Sequence, residues 1–282
     1  VNLDPSGKAI TIRSLSDEPE YCVIDCQKTS QGFVIKTNET PDTVIQGLTI
    51  KNGNSDSHVL DAGGGILCIN ASPTITNCIF SNCTAVNDEE LHGSGGAISF
   101  DGCETAVDAC VFTNCSAGYN GGAVNVYRST IYMRNCTFEN NQVALEGGAI
   151  SAASSTVYID ESSFSENSSS GGYGGAINLA RATAFVTSCT FTNNHAIVGG
   201  AISNTNSTTV IGGQISEGCT FQGNTAGEGA DVFISGGESP VDARYNTFQT
   251  FPDSPYSFES VGSIIFTGSQ FQEEPIEQDV YV

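Results

Sequence analysis

Cys136-Thr137-Phe138-Glu139-Asn140-Asn141, followed after five intervening residues by Gly147-Gly148-Ala149-Ile150, decides the fold, because both motifs return along the chain. The glycine motif recurs as Gly64-Gly65-Ile66, Gly95-Gly96-Ala97-Ile98, Gly121-Gly122-Ala123-Val124, Gly174-Gly175-Ala176-Ile177 and Gly199-Gly200-Ala201-Ile202, and weakly at Gly229-Ala230-Asp231-Val232. Its first glycines step by 31, 26, 26, 27 and 25 residues. Phe80, Phe112, Phe138, Phe164, Phe191, Phe221 and Phe248 run in phase, at steps of 32, 26, 26, 27, 30 and 27. Asn141, Asn167, Asn194 and Asn224 stand three residues after their Phe, where the two earlier copies carry Cys83 and Cys115. A fixed period in this range signals a solenoid, since one unit cannot bury its own apolar face.

The apolar alternation has a period of two, which excludes helical repeats. Three short strands are predicted per unit, exemplified by Val124-Asn125-Val126, Ile131-Tyr132-Met133 and Cys136-Thr137-Phe138. Three strands in roughly 26 residues describe an all-β, single-stranded parallel β-helix. About nine coils would make a rod of about 40 Å. We expect one β-helix domain over 1–271, with regular coils from about 64 to 250, and an acidic cap or tail over 272–282.

Stacking turns each repeat position into a column. The predicted inward columns are the Phe set, the aliphatic set Ile66, Ile98, Val124, Ile150, Ile177 and Ile202, and the small set Cys78, Cys110, Cys136, Ser162, Cys189 and Cys219. Asp108, Arg134, Asp160, Thr187, Glu217 and Arg244, each four residues before a Phe, form an outward column of alternating charge, read either as a ladder that fixes the coil register or as a catalytic carboxylate pair on a sugar-binding face. Tyr132, Tyr158 and Phe185 form an outward aromatic column, read either as ring stacking that stabilises the coils or as a sugar or protein platform. Ser99, Asn125, Ser151, Asn178 and Ser203 are expected to form an exposed hydrogen-bonding face, which nominates Asn125 and Asn178 as binding residues. Arg128 and Arg181 share a column two coils apart.

The formal net charge of −22 leaves no basic surface for phosphates, which argues against nucleic acid as a partner. No stretch reads as a membrane span or signal peptide. The opening Val1 reads as the start of a processed product or an excised segment. Eleven cysteines are present. Cys83 and Cys115 stack at one corner of adjacent coils and are expected to form a disulfide, with Cys22 and Cys26 a further local pair. Seven N-x-S/T triplets, at Asn38, Asn70, Asn82, Asn114, Asn135, Asn167 and Asn206, would accept glycans in a eukaryotic secretory pathway, or merely reflect an Asn/Ser/Thr-rich repeat.

The tandem Gly-Gly-Ala-(Ile/Val) and Phe-x-x-Asn motifs between Gly64 and Val232 resemble those of the chlamydial polymorphic membrane proteins. The opening stretch, with Val23-Ile24-Asp25-Cys26 and Val44-Ile45-Gln46-Gly47-Leu48-Thr49-Ile50, is similar to the wider right-handed β-helix repeat proteins. The resemblance implies right-handed coiling, an extracellular passenger and adhesion through the solenoid wall. It departs from that family after Phe271, where no segment could supply a translocating barrel.

β-Helix enzymes need paired carboxylates, or a Ca²⁺-holding acidic cluster beside a base. No outward column here presents Asp on two adjacent coils. The best cluster lies in two enlarged corners, one carrying Asp56, His58 and Asp61 and the next Asp88, Glu89, Glu90 and His92. It is a candidate site for Ca²⁺ or a transition metal, the alternative being a solvated acidic loop. The resulting expectation is a non-enzymatic extracellular or cell-surface module, acting in adhesion or as a structural fibre. Its partners would be a host or neighbouring surface protein, a glycan, or identical chains. A polysaccharide lyase or glycoside hydrolase is the alternative.

Overall fold

The computed structural model describes residues 1–55, 63–85, 93–213, 218–236, 241–249, 258–260 and 264–271. One coil shows the plan of all. From Gly121 the chain forms Val124–Tyr127, Thr130–Arg134, Thr137–Glu139 and the two-residue Gln142–Val143. We call the four parallel sheets to which these strands belong sheets 1, 2, 3 and 4; among the described residues they hold nine, ten, ten and four strands. The expected three strands are therefore present. The fourth is a short addition, confined to coils from Thr84–Ala85 to Ser168–Ser169. It was hidden because a two-residue strand has no periodicity to read.

Register is as the motifs demand. Phe112 pairs with Phe80 on one side and Phe138 on the other, and Val124 pairs with Ile98 and Ile150. The seven phenylalanines from Phe80 to Phe248 form an unbroken stack, with neighbouring ring centroids 4.7–5.0 Å apart. All seven are buried, and each contributes roughly 1.5–3 kcal/mol by leaving water.

Three corners are made by single residues at positive φ, which only Gly and Asn adopt readily. Between sheets 1 and 2 these are Asn70, Gly102, Arg128, Ser154, Arg181, Asn206 and Gly236. Between sheets 3 and 4, and at the same position in neighbouring coils, they include Asn82, Asn114, Asn140, Glu166 and Asn193. Several of these corners, and Asn135 between sheets 2 and 3, are followed by a small inward residue whose backbone N–H the next coil satisfies. Cys103 donates to Ser129 Oγ, Ser129 to Ser155 Oγ, and Cys136 to Ser162 Oγ.

The Phe-x-x-Asn asparagines do the same with a longer side chain. The backbone N–H and Nδ2 of Asn141 both reach Asn167 Oδ1, at 3.0 and 2.9 Å, and the pattern repeats to Asn194 and Asn224. Each Nδ2 also donates to a carbonyl one coil back, such as Phe112 O for Asn141. The ladder ends where Asn224 Nδ2 meets Asp231 Oδ1 at 2.9 Å. Asp231 replaces the alanine of earlier copies, and its carboxylate supplies the acceptor there.

The fourth corner is the Gly-Gly pair. Gly121 has φ +62°, and a Cβ on Gly122 would collide with the carbonyl oxygen of Gly148 in the next coil. The first glycine answers a backbone need and the second a close approach.

Candidate functional site

Sheet 2 presents the most regular exposed wall. In Thr130–Arg134, Ile131 and Met133 point into the core, so Thr130, Tyr132 and Arg134 face outward. Tyr132 pairs with Tyr158 and Tyr158 with Phe185, and their rings stack at 4.9 and 5.0 Å. The ring faces therefore cover one another. What the column offers a ligand is ring edges and the two phenol hydroxyls, a hydrogen-bonding ledge instead of a stacking platform. Beside it runs the charge column. Arg134 lies 3.6 Å from Asp160 and 2.9 Å from Glu161, and Thr187 Oγ1 donates to Asp160 at 2.7 Å. The Glu161 carboxylate bonded to the exposed Arg134 guanidinium raises its pKa. This ladder locks register in the expected way, each pair being worth about 0–1 kcal/mol at such exposure.

An open groove of about 590 Å³ follows the corner between sheets 1 and 2, lined by Arg128, Ser154, Thr156, Arg181, Thr183 and Asn206 among others. Arg128 clamps Asp101, with Nη2 2.8 Å from both carboxylate oxygens and Nε 3.1 Å from one, and its guanidinium lies 4.7 Å from the Tyr127 ring centroid. Arg181, two coils on, enters no salt bridge among the described residues. Thr156 and Thr183 bring hydroxyls, and they start the strands that carry Tyr158 and Phe185. Groove and ledge are thus adjacent parts of one wall. The column shared by Arg128 and Arg181 was legible in the sequence. The groove was not, because it depends on how far the corner stands out from the sheets.

The Ser/Asn face is a correction. Ser99, Asn125, Ser151, Asn178 and Ser203 are all buried. They alternate with the core residues of sheet 1 as expected, but the column is covered, at Asn178 by the Glu146 side chain just before Gly147. Asn178 Nδ2 donates to Glu146 Oε2 at 2.9 Å, and Asn125 Nδ2 to Ser99 Oγ at 3.2 Å. Burial pushes the Glu146 carboxyl above its ordinary range. Asn178 holds Glu146 and Asn125 holds Ser99 of its own column; both are buried away from an outside partner.

Asn167 is a second correction. It is fully buried in the asparagine ladder and cannot accept a glycan. Glu166 takes the positive-φ corner there, so the triplet's asparagine falls one place later and points inward. In Asn82-Cys83 and Asn114-Cys115 the asparagine itself is the corner. Those two, with Asn38, Asn70, Asn135 and Asn206, are exposed at positive φ.

All eleven cysteines are unbridged. Cys83 and Cys115 do stack on adjacent coils, but in-register parallel strands hold like positions about 4.8 Å apart with their side chains parallel. A disulfide needs Cβ atoms near 3.8 Å and converging. Their thiols donate to backbone carbonyls instead, Cys83 to Ile50 and Cys115 to Phe80. Cys22 and Cys26 flank the extended strand Val23–Asp25, which separates their Cα atoms by roughly 13 Å, against a limit near 7 Å.

Asp56, His58, Asp61, Asp88, Glu89, Glu90 and His92 lie outside the described residues. Among the described residues no group of three His, Cys, Asp or Glu could hold a metal ion. His195, the third histidine, hydrogen-bonds Thr225 Oγ1 through Nδ1 at 2.9 Å. No helix among the described residues is long and apolar enough to cross a membrane.

No curated protein and no solved structure matches this chain. The family model described as right handed beta helix region matches residues 20–271, nearly the whole solenoid. The parallel stacking, the in-register columns and this match together place the chain in the right-handed β-helix family.

Proposed function

We propose that this protein is a non-enzymatic extracellular or cell-surface module that holds a glycan or a neighbouring surface chain along its sheet 2 wall. The family includes both surface proteins and polysaccharide-active enzymes, and its domains are often extracellular. The observation that carries the binding reading is the open groove beside the Tyr132–Tyr158 ledge, where the Arg181 guanidinium stands among Ser and Thr hydroxyls. Such a strip repeats its polar groups at the rise of one coil, which suits a polymer lying along the axis. Arg181 would take an acidic group on that polymer through charge-assisted hydrogen bonds. Adhesion in the manner of the chlamydial surface proteins is the biological form this reading takes.

A panel of neutral and acidic glycans and of surface proteins, assayed for both binding and cleavage, tests it. Binding without cleavage, weakened roughly tenfold in Arg181→Ala, supports it. Cleavage of any glycan overturns the non-enzymatic reading. Binding that Arg181→Ala leaves untouched moves the ligand off this wall.

A further inference from the structure

We infer that Cys68 and Cys103 form a disulfide when the chain folds in an oxidising compartment. Their sulfurs lie 3.4 Å apart, and both side chains are buried, at 0 % and 3 % exposure. Cys68 is the third residue of the sheet 1 strand Ile66–Ile69, in the inward column it shares with Ile35 and Phe100. Cys103 is the first inward residue after the Gly102 corner of the next coil. The two therefore come from different columns on adjacent coils, and their side chains converge on one point. That is the difference from Cys83 and Cys115, whose shared column keeps them parallel. Each thiol is also held against nearby backbone: Cys103 Sγ donates to Cys68 O at 3.3 Å and Cys68 Sγ to Ala71 O at 3.4 Å. Joining the sulfurs requires closing a gap already at van der Waals contact.

The chemistry is thiol–disulfide exchange while the coils are closing and the thiols can still be reached. The Cys68 thiolate attacks one sulfur of a disulfide oxidant supplied by the compartment, small or enzyme-held, and releases one thiolate of that oxidant. The Cys103 thiolate then attacks the Cys68 sulfur of the mixed disulfide and releases the second thiolate. Two cysteine thiols are oxidised, one external disulfide is reduced, and the two protons pass to the released thiols. The bridge would tie two coils together across a sequence separation of 35 residues and restrict the unfolded chain accordingly.

The test uses the full chain, produced once in an oxidising secretory compartment and once in a reducing cytoplasm. Alkylation under denaturing conditions should find eleven thiols in the reduced sample and nine, eleven minus two, in the oxidised one. Non-reducing digestion should yield one cross-linked peptide pair containing Cys68 and Cys103. The oxidised sample should unfold several degrees higher, and reduction should remove the difference. Cys68→Ser and Cys103→Ser, made in the oxidising compartment, should each retain ten thiols. Eleven thiols in the oxidised wild type, or a bridge between other cysteines, would overturn the inference. The wild-type peptide map decides this even where a variant folds poorly.

Discussion

Two aromatic stacks run along this solenoid at nearly the same spacing, one inside and one outside. The inner stack counts seven rings from Phe80 to Phe248, at 4.7–5.0 Å. The outer has three, Tyr132, Tyr158 and Phe185, bounded by Ala106 on one side and Val210 on the other. Tyr132 and Tyr158 keep 44 % and 38 % of their surface in water, whereas every inner ring is fully covered. Identical column geometry therefore carries different energies, because hydrophobic stabilisation follows the area removed from water and not the spacing of the rings. The inner stack holds the coils together. The outer stack leaves part of its surface in water.

The largest test of that contrast is to truncate one ring in each. Phe138→Ala should destabilise by about 3–5 kcal/mol, through lost transfer energy and a cavity between Phe112 and Phe164. Tyr158→Ala should cost no more than about 1.5 kcal/mol, since its ring is partly solvated and mostly loses stacking. Denaturant unfolding of the two variants measures both. Equal losses would mean that the outer stack is a second structural spine.

Next in size is the ladder that runs beside the inner stack. Asn167→Ala removes the acceptor for the Asn141 N–H and the donor to Phe138 O. Each orphaned buried group costs about 1–3 kcal/mol. Hydrogen exchange should show the amides around Asn141 opening first, and unchanged exchange there would deny the ladder its role.

Two glutamates, Glu39 buried and Glu146 half-buried, give smaller effects of opposite sign with pH. At Glu39, burial raises the carboxyl pKa, but hydrogen bonds from Thr37 and from the Gly7 and Thr37 amides outweigh it, so the net shift is downward. Its stabilisation is present above the unfolded value, near 4.5, and is lost as pH falls through the folded one. Protection of the Gly7 amide should fade on acidification, and Glu39→Gln should abolish that dependence. At Glu146, burial raises the pKa, so folding favours the protonated form and stability declines as pH rises through the folded value. Glu146→Gln should therefore raise the melting temperature by a few degrees or less at pH 7, with the gain vanishing in acid. A melting series across pH 4 to 8 would show whether the two curves cross.

Much of the fold could be read from the chain alone. A repeat with both a bulky inward residue and a paired glycine in each unit has one way to bury the first and turn at the second. Phe112 and Phe138 were bound to stack once the period was seen. The candidate site was less legible. Tyr132 and Tyr158 were identified as an outward pair, but their ring faces are spent on each other. Asn125 and Asn178 alternate correctly with the core and still end up buried, Asn178 against Glu146, a contact between unlike positions that the periodicity does not encode.

Sequence by itself determined which residues share a column, since equal spacing along the chain becomes stacking by the geometry of parallel strands. The tertiary structure alone decided what lies over each column and which side chains converge from different ones. That is why Asn167 proved internal, why Cys83 and Cys115 run parallel without bonding, and why Cys68 meets Cys103. The periodicity fixes a residue's place within its coil; contacts between unlike positions depend on how corners and turns are shaped in space.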